Sequence, residues 1–307
     1  MSWVLIAEQS LNGLQFGLML FLLAAGLTLV FGIMDMINLA HGSLYMLGAF
    51  IAASLVQATG SFLLGVILAV PATALFGMAL EVVLLRKLYQ RDHLSQVLAT
   101  FALILILNEA VRLIWGPDAP LPMPASLSGP VELLPGLFYP AYRLLIIGVG
   151  LAVAAFLYFL ISKTRIGMLV RAGASNREMA LAMGVNIRLL FTLVFGVGAA
   201  LCAVAGALLA PLLAVQVGMG ENILILAFVV IVIGGIGSIR GAFVAAILIG
   251  LIDTLGRAFL PNLLRQVLSS SAARTAGPAL ASMAIYLLMA CVLGFMPRGL
   301  LPARGRA

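Results

Sequence analysis
The 307 residues include 17 basic and 10 acidic side chains, a net charge of +7, yet only 9% of the chain is charged and 64% is hydrophobic. With a mean hydropathy of +1.23, a soluble domain is excluded, and the composition requires an all-α, polytopic helical membrane protein. Nearly all the basic residues are arginine, and in such a chain the excess reads as topology and contact with membrane lipid, with no nucleic acid implied.

The opening residues, MSWVLIAEQS, lack a basic n-region and are followed by no small-residue cleavage site. The first apolar run is therefore expected to remain as a span. About eight spans (seven to nine) follow from runs near the roughly 20 residues that cross a bilayer core. Residues 11–33 form the first, rich in small residues that let helices approach closely. A second apolar stretch runs to about residue 56, with Asp35, Asn38 and His41 interrupting its beginning. Gly60 and Ser61 mark a turn before the third span, 62–85. Arg86, Lys87, Arg91 and His93, the first cluster of basic residues, are expected on the cytoplasmic side.

The fourth span, 94–115, ends with Arg112 and Trp115 as interface anchors. Residues 116–139 hold six prolines, two acids and no base. They are too broken for helix and too neutral to be retained inside, which makes them a periplasmic loop. The fifth span is 143–162. Residues 163–188 then form the one long polar stretch, with five basic residues facing a single acid. A short basic segment of this kind stays cytoplasmic. Within it, Ser175-Asn176 offers a helix start, residues 178–183 about two turns, and Gly184 a stop. Read from its residues alone, the stretch is either a connecting loop whose arginines set topology or a docking element.

The sixth span, 189–211, leads outward. Residues 223–236 are too short to cross a bilayer, and a glycine-rich stretch (residues 234–241) separates them from a second apolar run, 242–255. A hairpin turning at the cytoplasmic face puts Arg240, Arg298, Arg304 and Arg306 inside. A single broken span strands Arg240 at mid-depth, at a cost of at least about 2.5–3.5 kcal/mol. The hairpin is favoured. Residues 278–295 are the last span, so the N-terminus is expected outside and the C-terminus inside. No stretch is long or polar enough for a second folded domain, and residues 1–307 are expected to form a single transmembrane domain.

Residues 48–53 (GAFIAA) and 241–246 (GAFVAA) match at five of six positions. Each follows a glycine-bearing interruption of an apolar segment, the best sequence pointer to a substrate pathway. Asn38 and His41 fall on one helical face. Either Asn38 caps a helix and His41 bonds a backbone carbonyl, or the pair lines a polar path, since unpaired polar groups facing lipid are costly. His41 is a candidate for titration near neutral pH, but no partner is readable. Gly237, Gly241 and Ala245 recur every fourth residue and suggest a smooth helix face for packing. Gly234 and Gly235 permit backbone conformations closed to other residues, serving either packing or substrate contact through bare carbonyls and amides. Cys202 and Cys291 read as small packing residues, and no metal-ligand spacing occurs.

Glu178-Met179-Ala180 followed by Gly184 resembles the short cytoplasmic motif of ABC-importer permeases, and Gly167 and Arg171 upstream also match. The resemblance implies a coupling helix that docks in a cleft of an ATPase subunit, with Arg171, Glu178, Ala180 and Gly184 carrying the contact. Asn38-Leu39-Ala40-His41-Gly42 followed by Gly48-Ala49-Phe50 resembles the signature of branched-chain amino acid ABC-importer permeases. Ile233-Gly234-Gly235-Ile236-Gly237-Ser238, with Gly241 and Gly250, is similar to that family's second glycine-rich signature. Arg240 departs from the small or turn-forming residue expected there.

The resemblance implies a second permease chain (related or identical), two ABC ATPase subunits, a periplasmic substrate-binding protein and a bacterial inner-membrane location. Asn38, His41, Gly42, Gly234, Gly235 and Gly237 are the pathway candidates. The family also includes permeases for urea, short amides and other carboxylates. A phosphate loop needs Gly-x-x-x-x-Gly-Lys-Ser/Thr; neither Lys87 nor Lys163 sits in one, so ATP hydrolysis falls to a partner, and no catalytic constellation or cofactor is expected. The alternative from another class is a gradient-driven carrier, which needs an intramembrane carboxylate. Its candidates are Asp35, Glu81, Glu109 and Asp253.

Overall fold
The structure is a computed structural model that describes residues 3–302. It contains α1 (Trp3–Met34), α2 (His41–Thr59), α3 (Phe62–Val83), α4 (His93–Trp115), α5 (Ala141–Lys163), α6 (Arg165–Ser175), α7 (Arg177–Ala182), α8 (Ile187–Leu209), α9 (Met219–Gly234), α10 (Ile239–Leu264) and α11 (Ser270–Phe295). Among the described residues, 8 of these helices (α1–α5, α8, α10 and α11) are long and apolar enough to cross a membrane. The expected all-α polytopic architecture is found. The proline-rich stretch contributes four short strands with residues near it. β1 (Asp118–Ala119) pairs with β4 (Val215–Gln216), and β2 (Pro130–Leu134) pairs with β3 (Leu137–Pro140).

α1 is the central helix. It is apolar all round, and Leu18, Met19, Leu20, Leu22 and Leu23 are fully buried, as expected of a helix walled in by others. It packs against α10, α8, α5 and α9. Glycine sets how close these neighbours come. A Cβ on Gly250 of α10 would lie 2.3 Å from the Gly13 carbonyl oxygen and 2.5 Å from the Gly17 nitrogen. α2 meets α8 in the same way, with a Cβ on Gly206 falling 2.2 Å from the Tyr45 carbonyl oxygen. Such backbone contact is how helices associate in lipid, where no hydrophobic drive separates protein from solvent.

The glycine-broken hairpin is present. α9 and α10 pack together, joined by a turn in which Gly235 and Gly237 take φ of 103° and 81°. A Cβ on Gly234 would sit 2.4 Å from the Gly241 carbonyl carbon. The chain's end closes over this turn: the Leu300 and Leu301 amides donate to the Ile233 and Gly234 carbonyls at 2.8 and 3.1 Å. The smooth face expected from Gly237, Gly241 and Ala245 is corrected, because Gly237 lies in the turn and α10 begins at Ile239. Gly241, Ala245 and Ala246 remain as the buried small residues of α10.

Other boundaries also differ. α1 starts at Trp3, ahead of residue 11, because the apolar run of residues 3–7 continues the helix. α10 extends to Leu264, past residue 255, and α11 starts at Ser270, ahead of Pro278. Pro278, the expected start of the last span, lies inside α11. The Ser269 hydroxyl supplies the cap by accepting from the Ala272 amide at 3.4 Å. Gly277 leaves room for Pro261 of α10, whose Cγ would lie 2.5 Å from an added Cβ. Arg304 and Arg306 lie outside the described residues.

One end of the bundle gathers the end of α1, residues 85–93, α6, α7, the hairpin turn and residues 298–302. The other carries the strands and the α10–α11 turn. There Asn12 Oδ1 accepts from the Tyr139 hydroxyl at 2.9 Å and from the Arg143 guanidinium, fastening α1 to α5.

Gly250→Val is expected to force α1 and α10 apart and to cost about 1–3 kcal/mol, as overpacking does. Thermal denaturation of the purified chain in detergent reads it as a lowered midpoint.

Candidate functional site
Between α1 and α2 the chain leaves helix at Asp35, whose φ of 53° is the one positive value outside glycine among the described residues. Residues 35–40 are non-helical, while Met36, Asn38 and Ala40 are fully buried. An open backbone inside an apolar bundle must find other partners for its amides. α4 supplies them. Gln96 Oε1 accepts from the Ile37 amide at 3.3 Å, and Thr100 Oγ1 accepts from the Leu39 amide at 3.3 Å. Asn38 Oδ1 accepts from the Ala40 amide at 3.1 Å, so Asn38 caps the approach to α2. Gln96 is fixed in turn by donating to the Leu88 and Arg91 carbonyls at 3.2 and 3.0 Å.

His41 opens α2 and is fully buried. Its ring fills a notch between α1 and α8: an added Cβ would lie 2.9 Å from His41 Nε2 at Gly26 and 3.2 Å from His41 Cε1 at Gly198. Cys202 Sγ lies 3.1 Å from His41 Nε2. Asn38 Nδ2 and His41 Nδ1 have no hydrogen-bond partner of ordinary geometry. Gly42, the next residue, is pressed against α9, where a Cβ would come within 2.4 Å of the Gly220 carbonyl oxygen. Asn38, His41 and Gly42 are thus brought together. Gly234, Gly235 and Gly237 are not with them; they form the hairpin turn, near Gly32 and the Arg298 and Leu301 carbonyls.

The coupling candidates lie at the same end of the bundle as that turn. Asn176 caps α7, its Oδ1 accepting from the Met179 amide at 2.9 Å, and Gly184 ends the segment with φ of 82°. Start, length and stop therefore match the sequence reading. α6, capped by the Thr164 hydroxyl on the Gly167 amide at 3.2 Å, is an additional helix that the reading did not separate. Its signal is the Thr164-x-x-Gly167 spacing and an apolar face that buries Gly167, Val170 and Gly173. Ala180 is buried, whereas Glu178 is exposed, as are Met179, Leu181 and Met183 at 61%, 53% and 79%. Arg171 folds back to donate to the Ile161 carbonyl.

Arg177, which the sequence marks only as one of the five basic residues of this stretch, makes the link from α7 to the bundle. Standing first in α7, it donates to the Met34 carbonyl at 3.1 Å and reaches the Ile33 carbonyl at 3.5 Å. Its guanidinium stacks 4.9 Å from the centre of the Phe191 ring. The exposed helix is therefore tied to the last turn of α1, directly before residues 35–40. A cation at a helix C-terminus is also favoured by the unpaired carbonyls there.

Three of the four candidate carboxylates are engaged, and the fourth, Asp35, is exposed. Fully buried Glu81 accepts from Arg86 Nη2 at 3.1 Å, the Tyr89 hydroxyl at 2.6 Å and the Thr192 hydroxyl at 2.6 Å. Burial first, and then the bond to Glu81, push the Tyr89 phenol up, so it stays a donor. Glu109 pairs with Arg112 at 3.2 Å, as its spacing predicts, and Asp253 pairs with Arg257 at 2.9 Å.

A bundle of membrane-crossing helices with an exposed capped helix at one end and an open, buried backbone segment behind it defines a polytopic transport-type membrane protein. The model of the branched-chain amino acid transport system / permease component family matches residues 9–293, and the chain belongs to that family. Its relatives include the high-affinity branched-chain amino acid transport system permease protein BraD of Pseudomonas aeruginosa, 33% identical over 81% of this chain and 85% of that protein. Another is the corresponding LivH permease of Escherichia coli, 30% identical over 96% of this chain and 94% of that protein. A probable LivH permease of Methanocaldococcus jannaschii is 28% identical over 77% of this chain and 76% of that protein. No solved structure matches the chain.

Gln96→Leu is expected to leave the Ile37 amide unpaired and to destabilise the protein by about 1–3 kcal/mol. Gln96→Glu keeps the acceptor oxygen but sets a buried carboxylate against the Leu88 and Arg91 carbonyls in place of a donor, and should lose at least as much. Denaturation of both variants in detergent checks the order.

Proposed function
We propose that this chain is the membrane-spanning subunit of an ATP-driven importer for branched-chain or related small amino acids in a bacterial inner membrane. It works as a single transmembrane unit with a second permease chain, two ABC ATPase subunits and a periplasmic substrate-binding protein. The family and the names of its relatives support the substrate class. The observation that carries the mechanism is α7, a short helix held on the bundle by Ala180 that presents Glu178, Met179, Leu181 and Met183 outward. Apolar side chains ringed by charge are what a protein cleft takes up.

The basic residues orient the bundle. Arg86, Lys87, Arg91, Lys163, Arg165, Arg171, Arg177, Arg188, Arg240 and Arg298 lie at the end that carries α7; Arg112, Arg143, Arg257, Arg265 and Arg274 lie towards the other. By the positive-inside rule the α7 end is cytoplasmic. The N-terminus is then periplasmic and the C-terminus cytoplasmic.

Closure of the ATPase pair on ATP moves α7, with Arg171, Glu178, Ala180 and Gly184 as the coupling residues. Arg177 passes that movement to the end of α1 and so to residues 35–40. The pathway residues Asn38, His41 and Gly42 begin the next helix, while Gly234, Gly235 and Gly237 form the cytoplasmic turn against which α1 ends. Asn38 Nδ2 is a buried donor with no hydrogen-bond partner, which a passing carboxylate group can use, while His41 faces the Leu23 backbone. Of the four carboxylates that a gradient-driven carrier could use, Glu81, Glu109 and Asp253 are paired with arginines and Asp35 is exposed at the end of α1, which supports the ATP-driven reading over a carrier.

Glu178→Arg is expected to abolish ATP-dependent uptake in a reconstituted four-subunit transporter. Uptake unchanged by that reversal rejects the docking role. Arg177→Ala should leave the ATPase subunits bound but lower the amino acid moved per ATP about tenfold or more, as expected from losing charged hydrogen bonds. An unchanged ratio with a lowered melting point would assign Arg177 to stability alone.

A further inference from the structure
Arg240 is the residue that neither the coupling helix nor the pathway uses. Its guanidinium stands 5.4 Å from the centre of the Tyr158 ring, and it lines a cavity of about 430 Å³ together with Arg171. Among the described residues no acidic side chain lines that cavity and neither arginine is in an ion pair, although Arg171 also donates to the Ile161 carbonyl. The hydroxyl-bearing residues Ser162, Ser175 and Ser238 share the lining. Ser238 caps the 26-residue α10 at this point, so the positive end of that helix adds to the two cations. Bringing two like charges to one concavity is unfavourable unless an anion joins them.

We infer that this cavity holds the phosphate-bearing headgroup of an anionic phospholipid. The volume falls within the roughly 300–1,000 Å³ of ligand sites, and basic clefts between membrane helices at the cytoplasmic side suit such headgroups. Lipid is favoured over a partner's acidic side chain by the wall that α5 contributes. Leu157 and Ile161 line the cavity, while the neighbouring Phe156 and Phe159 of α5 are exposed at 59% and 60%. An acyl chain can lie along that outer face with its phosphate between the arginines. The site depends on the membrane-spanning fold and on the orientation proposed above only for the choice of leaflet, so it and the transport reading fail separately.

The test is native mass spectrometry of the full-length chain in nonionic detergent, titrated with phosphatidylglycerol or phosphatidylcholine. Inorganic phosphate and glycerol phosphate serve as soluble competitors. The expected result is one tightly held phosphatidylglycerol per chain, and far weaker retention of phosphatidylcholine. Arg240→Gln should weaken it about fivefold and the pair Arg171→Gln with Arg240→Gln about thirtyfold, from a contribution near 1 kcal/mol per arginine. Arg240→Lys, which keeps the charge, should retain it. Equal retention of both lipids, or an unaffected double variant, overturns the site. Displacement by millimolar free phosphate overturns the lipid as its source. Loss of the lipid on adding the ATPase subunits overturns it in favour of an acidic partner.

Discussion

The constraint on which the structure depends is that amides of a largely buried non-helical segment must find hydrogen-bond partners within the protein. Residues 35–40 interrupt the bundle beside its most buried helix. Each amide left without an intrahelical partner there costs energy comparable to a lost hydrogen bond. The chain meets this with side chains from elsewhere: Gln96 and Thr100 of α4 for the Ile37 and Leu39 amides, and Asn38 for that of Ala40. At the other end of the break, Arg177 takes the Ile33 and Met34 carbonyls of α1. Irregular backbone at such depth is tolerated in membrane proteins only when buried in protein or lining a cavity. Here polar side chains of neighbouring elements make the burial possible.

A second rule operates at the crossings. α2 approaches α8 through Gly48 and Gly206, and α10 approaches α1 through Gly250 against Gly13 and Gly17. The two matching segments, 48–53 and 241–246, are used differently: a Cβ on Gly48 would meet Ala203 of α8, whereas one on Gly241 would meet Gly234 of α9.

What could be read beforehand and what could not divides along the range of the interaction. The cap, length and stop of α7 are local chemistry written in Asn176, Arg177 and Gly184, and the Glu109–Arg112 pair follows from spacing on one helix. The hairpin was legible because the alternative buried Arg240. The notch around His41 was not, since it is cut by Gly26 and Gly198 on two other helices, and nothing beside His41 in sequence announces them. Gln96 and Thr100 look like ordinary polar residues near the start of α4 until the open segment is placed against them. The last span starts ahead of Pro278 because Ser269 provides an earlier cap.

The kinds of contact also differ in what it costs to separate them. Glu81, with Arg86, Tyr89 and Thr192, joins α3, the turn after it and α8 by a buried carboxylate whose partners are all present. Removing one such partner from a buried charge costs about 3–5 kcal/mol. α3 and α8 therefore move as one body. The contact of α2 with α9 sets Gly42 against the Gly220 backbone and Leu224 Cβ, with Met46 Sδ accepting from the Gly218 amide, and holds no buried charge. Sliding there gives up dispersion worth only about 0.1–0.2 kcal/mol per atom pair. The His41–Cys202 contact adds a weak sulfur interaction on the neighbouring seam. A pull arriving through Arg177 reaches the segment that leads into α2, the helix held by the weaker seam. On the transport reading proposed above, the seam beside Asn38 and His41, which holds no buried charge, is the one expected to yield before the Glu81 cluster does.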